Sequence, residues 1–177
     1  MTQTLVVMGP SGVGKTSVAA ELVARTGSEF VEGDDLHPEI NRAKMASGRP
    51  LDDEDRWPWL HRVADWIGVQ EAAGRDAVVT CSALKRSYRA LLCEGHPSVR
   101  FVHLLAPPQL IAERLDARTG HYMPPSLLAS QLDTLEPLEP DEPGVRVETT
   151  GDPAGVAERV LQRLGGDEPG GDGAPPG

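Results

Sequence analysis

Thr4-Leu-Val-Val-Met8, running into Gly9-Pro-Ser-Gly-Val-Gly14-Lys15-Thr16, is the stretch that decides the fold. Its first five residues are a short run rich in β-branched and aliphatic side chains, which predicts a strand. From Lys15 to Arg25, Val18 and Leu22 fall one turn apart, which predicts a helix. Between the two, Gly9–Thr16 matches GxxxxGK[ST] at every fixed position, in the strand-to-helix context this pattern needs. Gly9, Pro10, Ser11, Gly12, Val13, Gly14, Lys15 and Thr16 would together wrap the phosphates of ATP. The glycines let backbone N–H groups turn inward, and the next helix adds its positive end. Lys15 would reach the β- and γ-phosphates, and the Thr16 hydroxyl would ligate Mg²⁺.

Working outward, strand-like and helix-like segments alternate. Strands are expected at Phe30–Val31, Ala77–Cys81, Arg100–Leu105 and Val145–Thr149. Helices are expected at Pro38–Ser47, Asp55–Ala73 and Leu84–Cys93, and from Pro107-Pro108 to about Arg118. A last helix is capped by Asp152 with Pro153 at its first position, and Val156, Val160 and Leu164 mark its buried stripe. Such alternation implies an α/β fold of the P-loop NTPase kind, a five-stranded parallel sheet with helices on both faces. Ligands in such sheets gather at the carboxyl ends of the strands. One domain over residues 1–164 is expected, with a lid near residues 119–133. Residues 165–177, almost all Gly, Pro, Asp and Glu, read as a disordered acidic tail.

The 177 residues carry a net charge of −10, unevenly spread. Residues 1–135 hold 14 Lys and Arg against 17 Asp and Glu, whereas residues 136–177 hold 3 against 10. With no basic face, a nucleic acid is not an expected partner. No run of eighteen apolar residues exists, and the chain opens without a charged-then-apolar leader, so the reading is cytoplasmic and off the membrane. Cys81 and Cys93 make neither a disulfide framework nor a zinc pattern.

The phosphate acceptor is written elsewhere, in Phe30-Val-Glu-Gly-Asp34-Asp-Leu-His37-Pro and onward through Asn41, Lys44, Arg49, Asp55 and Arg56 to Trp59. Transfer to an alcohol needs a carboxylate near the hydroxyl to orient it or take its proton, and Asp34 is the candidate. Glu32, two residues earlier, could meet Mg²⁺ through water. Trp59 and Trp66, seven apart, read as core or subunit interface rather than as a substrate platform.

Four segments closely resemble the gluconokinase family, small ATP-dependent kinases of the shikimate-kinase-like P-loop group. They are the Gly9–Thr16 loop, Gly33-Asp34-x-Leu36-His37-Pro38 through Trp59-Leu60, Cys81-Ser82-Ala83-Leu84-Lys85-x3-Arg89, and Arg114-x3-Arg118-x-Gly120-His121. The chain departs from the family at Glu32, where Asp is more usual. The resemblance implies phosphorylation of D-gluconate at its 6-hydroxyl and a homodimeric assembly. A six-carbon polyol acid needs cations for its carboxylate, for which Arg49, Lys85 and Arg89 are candidates. It needs hydrogen-bonding groups for its hydroxyls, for which His37 and Asn41 are candidates, with His121 added from the fourth segment. Arg114 and Arg118 lie four apart on one helix face. By resemblance to related kinases, Arg118 would close over the transferring phosphoryl group and Arg114 would pack near adenine. Asp152 and Pro153 are expected at the adenine edge. A kinase of this fold acting on shikimate or a nucleoside monophosphate, and a nucleotide-dependent regulatory module, are the competing readings.

Overall fold

The computed structural model describes residues 2–117 and 125–166. Its five strands are β1 (Thr4–Met8), β2 (Glu29–Glu32), β3 (Ala77–Thr80), β4 (Val99–Leu105) and β5 (Gly144–Glu148). They form one sheet in the order β2-β3-β1-β4-β5, and every neighbouring pair is parallel. β1 lies at the centre because it is apolar on both sides. Leu5 and Val7 enter one core, while Val6 and Met8 enter the other.

The first core is covered by α1 (Lys15–Thr26), α5 (Pro108–Asp116) and α7 (Pro153–Gly166), with Leu128 of α6 (Pro125–Thr134) added to it. The second is covered by α3 (Asp53–Ala72) and α4 (Arg86–Cys93). The short α2 (Glu39–Ala46) and a 3-10 turn at Gly33–Leu36 stand between β2 and α3. Every β-to-α turn therefore opens at the carboxyl edge of the sheet, where the phosphate loop lies.

Several element boundaries differ from the sequence expectation for local reasons. α3 begins at Asp53, two residues early, because Asp52 and Asp55 form a reciprocal cap: each side chain accepts the other's backbone N–H, at 2.9 and 3.0 Å. α4 begins at Arg86 rather than Leu84, since Lys85 is extended, at φ −104° and ψ 147°, and stands as the residue before the first turn. α7 runs on through Gly165 and Gly166, which the sequence assigned to a tail. Residues 167–177, the remainder of that tail, lie outside the described residues. No helix among those described is long and apolar enough to cross a membrane.

Candidate active site

The phosphate loop is shaped by what stands behind it. Gly12 adopts φ +86°, and a Cβ there would lie 2.7 Å from the Leu115 side chain of α5. Only glycine satisfies both conditions. Lys15 folds back over the loop, with Nζ donating to the Gly9 carbonyl at 2.9 Å, and Thr16 is exposed at the start of α1. Gln131 of α6 reaches the same loop: its Oε1 accepts from the Ser11 N–H at 2.8 Å.

Facing the loop, the end of β2 turns sharply at Gly33. A Cβ there would stand 2.0 Å from the Thr80 carbonyl, so only glycine lets β2 press against β3 and turn. The turn exposes Asp34 and buries His37 three residues on, with His37 Nε2 3.9 Å from Asp34 Oδ1. The His37 ring stacks on Trp59, centroids 4.1 Å apart, and Trp59 Nε1 donates to the Gly33 carbonyl at 2.7 Å. Asn41 Nδ2 lies 3.1 Å from His37 Nδ1 and also donates to the Asp55 carbonyl. An amide N–H directed at Nδ1 makes that nitrogen the acceptor and leaves the proton on Nε2, toward Asp34. Burial, aided by Arg56 and Arg42 against the opposing pull of Asp34, lowers His37 to about 4, so it is neutral near pH 7.

Lys15, Asp34, His37, Arg56, Trp59 and Ser82 border one pocket of about 250 Å³, closed on its other sides by Met45, Pro50, Leu51, Leu84 and Leu127. That space suits a small polar molecule. A second pocket lies on the far side of the loop, between Gly12, Gly14, Ser17, Arg114, Thr149, Gly151 and Pro153. Arg114 is locked there, donating to the Val13 carbonyl at 2.7 Å and to the Thr149 hydroxyl and carbonyl at 3.2 Å each. One pocket thus holds cations, a carboxylate and an imidazole beside the phosphate loop, and the other is a slot next to its outer wall.

Comparison with known proteins fits this geometry. Residues 5–138 match the family described as AAA domain. Over 160 residues the chain is 50% identical to the gluconokinase of Gluconobacter oxydans (strain 621H), with 90% of each chain covered. Among solved structures it is similar to an unliganded sugar kinase from Janibacter sp. HTCC2649, with TM-score 0.88, 50% identity and 93% and 95% of the two chains covered. It is also similar to a gluconokinase from Sinorhizobium meliloti 1021, with TM-score 0.83, 43% identity and 92% and 91% covered. The chain belongs to the gluconokinase family.

Within that family frame, several residues singled out from sequence stand elsewhere than expected. Arg89 does not face the acceptor pocket. It is 1% exposed, pairs with Glu142 at 2.6 Å, and donates to the carbonyls of Ala83, Leu84, Glu136 and Pro137. Its role is to fasten the strained Ala83 loop, whose Ser82 and Leu84 line the pocket. Lys85 is turned aside to Asp53, at 3.0 and 3.2 Å from its two oxygens. Arg49 is exposed beside Ser47, and the wall next to it is made by Pro50 and Leu51. Asn41 is buried and acts on His37 rather than on the pocket. Asp152 caps α7 by accepting the Gly155 N–H, whereas Pro153 does border the second pocket. Trp59 is core, as expected, and also floors the site through its stack with His37. Arg118 and His121, with the first part of the lid, lie outside the described residues.

One residue at the site escaped the sequence reading, and another was named there without a role. Gln131 carries no motif that would single it out. Arg56 had one signal, a lone arginine in the first turn of a helix whose N-terminus is acidic, where the helix dipole disfavours it. It is 7% exposed, yet borders the pocket beside Asp34 and His37. Of its five guanidinium N–H donors, the one hydrogen bond made among the described residues goes from Nη1 to the Tyr88 hydroxyl at 3.3 Å.

Proposed function

We propose that the protein is a gluconate kinase that moves the γ-phosphoryl group of ATP to the 6-hydroxyl of D-gluconate, giving 6-phospho-D-gluconate and ADP. The observation that carries this reading is the pocket beside the phosphate loop, where Asp34 is the sole carboxylate among the described lining residues and Arg56 a buried cation. A polyol with a carboxylate at one end matches that pair. Asp34 accepts the proton of the 6-hydroxyl as its oxygen bonds to the γ-phosphorus, and the bond to the β,γ-bridging oxygen breaks. His37, neutral with its proton on Nε2, donates to a sugar hydroxyl or to Asp34 and fixes its direction. Arg56 holds the sugar carboxylate, and Lys15 draws charge from the leaving diphosphate.

Mg²⁺ would supply charge neutralisation at the bridging oxygens. The donors present suit it: the exposed Thr16 hydroxyl, and the half-buried Glu32 carboxylate, one oxygen of which accepts from Thr80. No three His, Cys, Asp or Glu side chains converge among the described residues, so phosphate oxygens and water would complete the coordination. Adenine is assigned to the slot between Arg114 and Pro153, and Arg118, with His121, to closure over the reacting phosphoryl group. Two free cysteines, one fully buried, accord with a cytoplasmic setting.

The test is a coupled ADP-release assay over D-gluconate, other sugar acids, shikimate and nucleoside monophosphates. Gluconate should give the highest kcat/KM. A higher value for shikimate or a nucleotide would replace the acceptor, and ADP release with none would remove the transfer activity.

A further inference from the structure

Asp53 and Arg56 stand three residues apart in the first turn of α3, the spacing at which a carboxylate and a guanidinium on a helix ordinarily pair. Here they do not: no carboxylate lies within 4 Å of Arg56 among the described residues. The reason is visible in α4 and the turn before it. Lys85 Nζ spans both Asp53 oxygens at 3.0 and 3.2 Å, and the Tyr88 hydroxyl donates to Oδ1. Tyr88 is itself buried, wedged edge-on against Trp57, and its ring lies under both cations, 5.4 Å from the Arg56 guanidinium carbon and 5.7 Å from Lys85 Nζ. Its hydroxyl gives its proton to Asp53 and receives one from Arg56. Asp53 is thereby occupied and Arg56 is held by a neutral partner, at the pocket wall.

We infer that Lys85 and Tyr88 are positioning residues for the acceptor. By engaging Asp53 they keep an internal carboxylate from capturing Arg56, and so leave its guanidinium open to the carboxylate of the sugar acid. This rests on the reading of Arg56 given above. It assigns Lys85 a role opposite to direct substrate contact: the lysine answers an internal anion so that an arginine can answer an external one. Arg56 is buried while the Asp53 side chain is 47% exposed, so an ion pair between them would form at the edge of the site, in direct competition with the substrate carboxylate for the guanidinium.

Steady-state kinetics of four variants test it, each read for gluconate KM, ATP KM and kcat. Lys85→Met frees Asp53, and gluconate KM should rise by about 10-fold or more, the factor that one lost charge-assisted contact gives. ATP KM and kcat at saturation should stay within about 2-fold, on the same conversion. Lys85→Met combined with Asp53→Asn removes the competing charge and should return gluconate KM to near its starting value. Tyr88→Phe, which keeps the ring and drops the hydroxyl, should raise gluconate KM in the same direction. If Lys85→Met leaves gluconate KM unchanged, or Asp53→Asn fails to rescue it, the positioning role is overturned. The fourth variant, Arg56→Gln, separates this from the underlying reading. An unchanged gluconate KM there would mean that Arg56 is not the carboxylate partner at all.

Discussion

Asp34 owes its exposure to one neighbour. Gly33 lets β2 end hard against Thr80, and the 3-10 turn that follows lifts the carboxylate out of the sheet and toward Lys15. Among the described residues no lysine or arginine lies within ion-pairing distance of Asp34, and the neutral His37 stands 3.9 Å away, which supports its proposed role as acceptor of the substrate's proton. Asp34→Ala should therefore lower kcat by about 10² to 10⁴, the usual weight of a positioned acid or base, while ATP KM stays nearly constant. Steady-state kinetics with both substrates varied will show it, and near-native turnover would take Asp34 out of the chemistry.

At the scale of elements, α4 is the part most easily misread. Arg89 is one turn beyond Lys85 in a segment that resembles a substrate-binding motif, and nothing in local spacing announces that Glu142, 53 residues on, will meet it in the interior. The loop at Gly9–Thr16 and the turn at Gly33–His37 were legible because each is a local device, complete within eight residues. Arg56 was not, since its importance depends on how α3 is registered against Tyr88 of α4, a matter of tertiary packing. The same holds for Lys85, whose partner Asp53 begins another helix. Removing one member of a buried ion pair strands the other, so Arg89→Met should destabilise the fold by about 3–5 kcal/mol. Denaturant unfolding measures this directly. The variant should lose stability without a selective rise in gluconate KM, which would instead restore Arg89 to the substrate site.

For the molecule as a whole, two buried histidines tie stability to pH. His37 beside the site and His103 on β4 are both lowered to about 4, mainly by burial. His103 is 1% exposed, and its Nε2 has no hydrogen-bond partner among the described residues. In the unfolded chain both would bind protons from near 6.5 downward, while the folded protein stays unprotonated until near 4. Unfolding thus takes up protons throughout that window, and stability must fall as pH drops from 6.5 toward 4. Thermal or denaturant melts across this range should show the decline, and His103→Leu should flatten it. An unchanged slope in that variant would mean that His103 does not carry the dependence. At higher pH both rings are neutral in either state, and stability should be level through pH 7 to 8 as far as these groups are concerned.

The pocket, the phosphate loop and the Asp34 turn together make a claim about one hydroxyl of one acceptor. The most direct test is the phosphorus-31 NMR spectrum of the product formed from ATP, Mg²⁺ and D-gluconate. The product should be a phosphomonoester coupled to the two protons of a primary carbon, as in 6-phospho-D-gluconate, formed in step with ADP. A phosphoryl group on a secondary carbon, or ADP formed with free phosphate and no ester, would contradict that claim.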